Sequence, residues 1–290
     1  MIALGIDIGG SHITAAKVDL ESRSIIAGTT SRTAVDANLN AEELLNTWCG
    51  MIEGVYAETD RSAAYIGIAM PGPFDYEAGI SLIKDQPKFR NLYQINVKNE
   101  LAKRLNLEPA NIRFINDAAS FLQGEVFGGA ARDRQKVIGL TLGTGLGASF
   151  CADGVAVDAA LWNSPFKEGI AEDYLSTRWF LSRYEALTGK QVSGVKALTD
   201  MSTDEAVKQQ IFEEFGKHLA EFLVPFLDQE QPDTIVLGGN ISNAHPLFMP
   251  ALLEQLNVAS RPAVIKIAEL QEDASLIGAA SCWQSLVQAS

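Results

Sequence analysis

Apolar residues alternate with small or polar ones over residues 2–8 (IALGIDI) and 13–19 (ITAAKVD), and a third β-rich run covers 24–31. Glycine or polar turns separate these runs, so the chain is expected to open with an antiparallel meander. The rhythm then changes. Over residues 40–58, Leu44, Leu45, Trp48, Met51, Ile52 and Val55 recur at spacings of three and four and predict one apolar helix face. The run AYIGIAM predicts a second buried strand, ending at Pro71-Gly72-Pro73. Residues 74–95 mix Gly, Pro, Asp and aromatics without a period, which predicts a long surface excursion of the kind that carries substrate contacts. A helix over 96–106, a strand IRFI and a helix over 117–128 follow, with Phe121, Leu122, Glu125 and Val126 at the helical spacing of the last.

The opening then recurs. GIDIGGSHITAAKVD (5–19) and GLTLGTGLGASFCAD (139–153) align without a gap at a constant offset of 134. They share glycine at Gly5/Gly139 and Gly9/Gly143 and aspartate at Asp19/Asp153, with apolar residues at Ile6/Leu140 and Ile8/Leu142. Each copy reads as strand, glycine-rich turn and strand, which predicts two lobes of related topology. A helix over 172–187, a long amphipathic helix over 204–228, strands TIVLGGN and VIKIA, and a closing helix in SLIGAASCWQSLVQ complete the second lobe. No Ser, Pro or charge-rich linker lies between the lobes, so the boundary expected near Ile115 and Asn116 is a hinge.

Charge narrows the function classes. The 290 residues carry 23 Lys+Arg against 36 Asp+Glu, a formal net charge of −13, which repels nucleic acid backbones and anionic membranes. With 47% hydrophobic and 20% charged residues the chain is an ordinary globular one. Cys49, Cys151 and Cys282 are scattered singly, offering neither a thiol metal clamp nor a redox pair and fitting a reducing cytoplasm. The start reaches Asp7 with no basic or long apolar segment before it, so neither export nor a membrane span is expected.

Three glycine-rich turns each follow an apolar β-run: Gly9-Gly10-Ser11, Gly143-Thr144-Gly145 and Gly238-Gly239-Asn240. Such turns aim backbone N–H groups at one point and let an anion approach closely, although glycine is also common in plain hairpins. The dinucleotide fingerprint fits poorly, because the residues after Gly10 and Gly145 read as strand and not as helix. Asp7, between Ile6 and Ile8, could hold Mg²⁺ or one of its waters; the plain alternative is a solvated edge aspartate. Asp117 follows a buried strand and precedes an apolar helix, so it is either a helix N-cap or a general base for a hydroxyl to be phosphorylated. His12 lies just past the first turn, His218 falls on the long helix as a surface or half-buried residue, and His245 is isolated, so no metal cluster is expected.

Taken together these segments resemble the ROK family of sugar kinases and regulators. GIDIGGSHITAAKVD is similar to the family's first phosphate motif, IGIAMPGPFD to its glycine-proline-glycine segment, INDAASFLQGEVFGGA to its Asn-Asp motif and LTLGTGLGASFCADG to its second phosphate motif. IVLGGNIS resembles the adenosine motif, and SLIGAA the C-terminal helix that returns to the first lobe. The resemblance implies an α/β, two-lobed actin-like ATPase (ribonuclease H-like) fold, each lobe a mixed sheet flanked by helices, with the ligand cleft between lobes. Residues 1–115, completed by 275–290, would form a smaller N-terminal lobe and 116–274 a larger one. It further implies ATP and Mg²⁺ as cofactors, a hexose substrate, a cytoplasmic homodimer, and Asp117 as the base. Phosphates would meet Asp7, Gly9, Gly10, Ser11, His12, Gly143, Thr144, Gly145, Gly238, Gly239 and Asn240, with Asp7 on Mg²⁺ directly or through water. The sugar would meet Asn116, Asp117 and Glu172, with Glu168 a weaker candidate and help from Pro71, Gly72 and the loop 84–91.

The departures shape the expectations. Family kinases carry a histidine and a cysteine-rich zinc loop where this chain reads WNSPFKEGIAEDYLSTRWF, so no structural zinc is expected and Trp162, Phe166 and Trp179 are expected to pack the segment instead. Ser11 and His12 stand where Thr and Lys or Asn are usual. The missing histidine implies a weaker grip on the sugar's anomeric end, and hence glucose as a poor substrate unless Glu168, Asn163 or Lys167 substitutes. A rival reading is a sugar-binding regulator acting through a protein partner; the short stretch before Asp7 and the acidic charge argue against DNA binding. A general ATPase or acyl-phosphate kinase is disfavoured by the Asn-Asp motif.

Overall fold

A computed structural model describes residues 1–56, 65–86, 88–202, 204–259, 261 and 263–288. Residues 57 and 58 of the first predicted helix, Ala64 of the second predicted strand, Pro87 of the excursion and the final two residues of the closing helix lie outside the described residues. The chain forms two compact units, Met1–Arg132 with Glu272–Ser290, and Asp133–Gln271.

The first unit opens as a meander of β1 (Ile2–Ile8), β2 (His12–Asp19), β3 (Ser24–Ile25) and β4 (Ser31–Ala34). The predicted third run is therefore interrupted: Gly28 takes a left-handed φ of 78° and the Thr29 hydroxyl donates to the Ile26 carbonyl, closing a turn between β3 and β4. Helix α1 (Ala41–Tyr56) starts at a reciprocal cap in which Asn40 and Glu43 each accept the other's backbone N–H. Strand β5 (Ile66–Met70) follows, and the excursion after it folds a small hairpin, β6 (Phe74–Asp75) with β7 (Ile80–Ser81). Helix α2 (Val97–Leu105), strand β8 (Ile112–Asn116) and helix α3 (Asp117–Gly128) complete this stretch. The sheet runs β3-β2-β1-β5-β8 with β4 also on β2; β1 pairs antiparallel to β2, while β1, β5 and β8 are parallel. Leu4, Ile6 and Ile8 face the core shared with Leu44, Trp48 and Leu101 of α1 and α2.

The second unit repeats the plan. Strands β9 (Lys136–Leu142), β10 (Leu146–Ala152) and β11 (Val155–Asp158) form the meander, and β12 (Pro165–Phe166) pairs with β13 (Gly169–Ile170) as a separate hairpin. Helices α4 (Ala171–Tyr174), α5 (Thr177–Thr188), α6 (Val195–Asp200) and α7 (Glu205–Glu230) lead to β14 (Thr234–Gly238), α8 (His245–Val258) and β15 (Ile265–Ile267). The sheet order β11-β10-β9-β14-β15 matches that of the first unit, three antiparallel strands followed by two parallel additions. The ungapped repeat alignment holds for β1 and β9 but slips at the turn. Ile8 pairs with Ile13 across four residues, whereas Leu142 pairs with Leu146 across three. Asp19 and Asp153 therefore do not occupy equivalent positions.

The chain then returns to the first unit with α9 (Asp273–Ser281) and α10 (Gln284–Gln288). Helix α9 approaches at backbone distance because glycines face it. A Cβ on Gly5 or Gly67 would lie 1.9 or 1.8 Å from the carbonyl oxygen of Leu276 or Ala279, and one on Gly124 of α3 would lie 2.0 Å from that of Ala274. This packing keeps α3 with the first unit, so the units divide after Arg132 and not at the predicted Ile115/Asn116. Among the described residues no helix is long and apolar enough to cross a membrane.

Candidate active site

Parallel pairing brings three strand ends of the first unit together. Asp7 stands opposite Ala69, Ala69 opposite Ile115 and Met70 opposite Asn116, so the Gly9-Gly10-Ser11 turn, Pro71-Gly72 and Asn116-Asp117 share the carboxyl edge of the sheet. Ligands of open α/β sheets bind at this edge. Of the two readings of Asp117, the cap is taken by its neighbour: the Asn116 side-chain Oδ1 accepts the Ala119 N–H at 3.1 Å, making Asn116 the N-cap of α3. Asp117 is left exposed on the first turn of α3, where one oxygen accepts the Ala118 N–H at 2.9 Å. Asn116 is buried, at 8% exposure, and its amide donates to the Tyr76 hydroxyl at 3.1 Å, which in turn donates to the Met70 carbonyl at 3.1 Å. Tyr76 is absent from the sequence-derived set; the only sign of it is its place in the aromatic-rich excursion. Its hydroxyl would also meet a Cβ on Gly72 at 3.1 Å, so Gly72 gives the ring room.

Asp7 lies on the sheet face that carries α9. Its pKa is pushed up to about 6, first by burial and then by the Asp117 carboxylate, with Arg32 opposing and Glu272 adding. Arg32 is itself held by Glu272 at 3.0 Å, and among the described residues no hydrogen bond reaches the Asp7 carboxylate. The folded state therefore holds the Asp7 proton more tightly than the unfolded chain does. Stability falls as pH rises from the unfolded value near 3.8 through about 6, and the cost is complete above that. Asp7→Asn should raise the unfolding midpoint at pH 8 relative to the parent, with the gain shrinking towards pH 4; thermal melts across that range check it. An advantage that grows as pH falls would contradict this placement of the charge.

The first turn keeps two donors free. Gly9 N–H closes the hairpin on the His12 carbonyl at 2.9 Å, and the Ser11 hydroxyl meets His12 Nδ1 at 2.9 Å. The backbone N–H groups of Gly10 and Ser11 have no partner among the described residues. In the second unit, β9 and β14 run parallel with Gly238 opposite Thr141, which sets the Gly143 and Gly239 turns side by side. Gly239 has φ 80° and a Cβ there would stand 2.4 Å from the Leu142 carbonyl oxygen, so glycine is required twice over.

Glu172 braces the second turn. Its Oε2 accepts the Leu146 N–H at 3.1 Å and its Oε1 accepts from Arg178 at 3.1 Å, while Thr177 donates both N–H and hydroxyl to the Gly143 carbonyl. These bonds explain why the single helix predicted over 172–187 is two, with Leu175 and Ser176 between α4 and α5: the chain bends to reach Gly143. Glu168 is apart from this arrangement, exposed with Lys167 at the tip of the β12-β13 hairpin, where Lys167 ion-pairs with Glu221. Asn163 is exposed as well.

Rings pack this segment, which has no cysteine, against α7. Phe166 packs on Tyr174, His218 and Phe222, and Trp179 on Phe180, Phe215 and His218, with centroids 5.1–6.4 Å apart. Trp162 takes no part and is 46% exposed, contrary to expectation, because it precedes the hairpin that carries Phe166 inward. His218 is half-buried with Nδ1 unpartnered, and burial, with Lys167 next, holds its pKa below the usual range.

The sequence and the fold have counterparts in known proteins. A sequence model of the ROK family matches residues 3–160 and 167–286, its gap falling in the segment that lacks the cysteines. The chain is 26% identical over 314 aligned positions to the glucokinase of Thermotoga maritima, covering 96% of each chain. It is 24% identical to the N-acetyl-D-glucosamine kinase of Photobacterium profundum, over 90% of this chain and 93% of that one. Its fold matches a ROK family glucokinase from Streptomyces griseus, crystallised in complex with glucose and AMPPNP, with a TM-score of 0.73 at 23% identity over 97% and 99% of the two chains. With the family model matched over nearly the whole chain, the chain belongs to the ROK family.

Proposed function

We propose that this protein is a kinase that transfers the γ-phosphate of ATP, with Mg²⁺, to a hydroxyl of a hexose or hexose derivative. The observation that carries the reading is Asp117. Asn116 takes over the capping of α3 and so leaves an exposed carboxylate at the carboxyl edge of the sheet, beside the first glycine turn and Asp7. A carboxylate so placed can accept the proton of a sugar hydroxyl as its oxygen attacks phosphorus and ADP leaves. The free N–H groups of Gly10 and Ser11 suit phosphate oxygens, and the turns at Gly143 and Gly239 offer the same chemistry in the second unit. Asp7 fits Mg²⁺: among the described residues its carboxylate receives no hydrogen bond, burial and the Asp117 carboxylate raise its pKa, and Mg²⁺ is commonly held by one or two carboxylates plus substrate phosphates. When bound, the metal would neutralise charge on the transferring phosphates.

The test is ADP release from MgATP with a panel of sugars: glucose, mannose, fructose, allose and the N-acetylated hexosamines. Sugar-dependent release is expected. Glucose should not lead the panel, because a hydroxyl left without the family's histidine costs about 1–3 kcal/mol, roughly ten- to a hundredfold in binding. Glu172 is already engaged by Leu146 and Arg178 and has less capacity to compensate. ADP release indifferent to every sugar would end the kinase reading, and glucose as clearly the best substrate would end the specificity argument alone.

A further inference from the structure

The side chain of Lys88 crosses the first glycine turn. A Cβ placed on Gly10 would lie 3.3 Å from Lys88 Cδ and 4.0 Å from its Cβ, so the aliphatic stem rests on the bare backbone of the turn. Its neighbour fixes it there. Phe89 is fully buried, meets Trp48 edge-on with centroids 5.8 Å apart, and donates its N–H to the Ala37 carbonyl at 2.9 Å. Phe89 also adopts a left-handed φ of 61°, which turns the chain as it enters the core. The exposed Lys88 is thus anchored one residue away from a core contact and does not simply trail from a loop.

Its ammonium group is unclaimed. Among the described residues no carboxylate or carbonyl pairs with it, although the chain has 36 acidic side chains to offer. The stem that carries it lies on the turn whose two N–H groups, of Gly10 and Ser11, also lack partners among the described residues. Two unpartnered backbone donors and an unpartnered cation on one turn make a binding place for an anion, and a lysine supplies phosphate with a compact charge that needs no fixed orientation.

We propose that Lys88 is a phosphate-binding residue of the first glycine turn, its ammonium contacting oxygens of the phosphoryl donor. This rests on reading the turn as the donor's site. It separates Lys88 from the rest of the 84–91 loop, for which the sequence suggests sugar contacts, and it supplies a cation next to the position where His12 stands.

Lys88→Met and Lys88→Arg should be compared with the parent, varying MgATP and sugar independently and measuring ADP affinity by calorimetry at low and high salt. Lys88→Met is expected to raise KM for ATP and Kd for ADP about tenfold, with sugar KM unchanged and the salt dependence of ADP binding reduced. Lys88→Arg should recover most of the affinity, which a purely structural role would not require. ADP affinity equal to the parent's, or an increase confined to the sugar KM, would overturn the assignment while leaving the turn's role intact. A parent protein that binds no ADP would remove the reading of the turn, and the proposal with it.

Discussion

Replacing Asp117 by asparagine is expected to lower kcat for sugar phosphorylation by about a hundredfold or more, the loss typical of removing a positioned general base. The amide keeps the size of the carboxylate and can still accept the Ala118 N–H, and the cap of α3 depends on Asn116, so the fold should be unaffected. Sugar affinity measured by calorimetry should change little, placing the loss in kcat and not in KM. Steady-state kinetics of the variant alongside its melting curve decide the matter: near-parental turnover with an intact fold would show that another group takes the proton. Asn116→Ala should behave differently. It removes the N-cap and the bond to Tyr76, so it should cost about 1 kcal/mol of stability or more.

The largest effect on stability is expected where α9 meets α3. A Cβ on Gly278 would fall 1.9 Å from the Ser120 carbonyl oxygen and 2.8 Å from the Gly124 nitrogen, both backbone atoms that cannot swing aside. Gly278→Ala should therefore force the helices apart and cost about 3 kcal/mol or more, at the upper end of overpacking losses. At roughly 2–4 °C per kcal/mol for a chain of this size class, the midpoint should fall by about 10 °C. Gly54→Ala is the matched control: Gly54 lies on the exposed side of α1 with nothing within 4 Å of an added Cβ, so it should gain about 0.5–1 kcal/mol. Equal melting of the two variants would contradict the close approach of α9.

Binding of α9 by the first unit has a functional corollary. Helix α9 begins at Glu272 and Asp273, and Glu272 ties Arg32, the one cation that lowers the Asp7 pKa. A packing defect at Gly278 would therefore disturb the charge balance around Asp7 as well as the melting temperature.

Much of the chain was legible as a string because its information is local. Alternation marked β1 and β2, spacing of three and four marked α1, α3 and α7, and a glycine turn after each apolar run marked the repeated hairpins. Periodicity depends only on which face a residue shows to the core, so it survives without knowledge of the partner. Helix α8 has no counterpart among the elements read from the sequence; its Pro246 occupies the first turn, where a missing N–H costs nothing. The candidate acids Asp7 and Asp117 and the three turns were named from residue type and position alone.

What only the tertiary structure decided are the partnerships between distant residues. Local sequence left Asp117 divided between cap and base, and it took the Asn116–Ala119 bond to free it. The break between α4 and α5 follows from Thr177 reaching Gly143, and the place of Glu172 from its bond to Leu146, neither of which leaves a periodic trace. The unit boundary moved past α3 because glycines more than a hundred residues apart in the chain let α9 press onto it. The contacts of Tyr76 and Lys88, a hydroxyl meeting Asn116 and a stem crossing Gly10, are of the same kind. Local propensity acts over a few residues and can be read along the chain, whereas these contacts exist only once both partners have been brought to the same point by the packing of the sheets and helices between them.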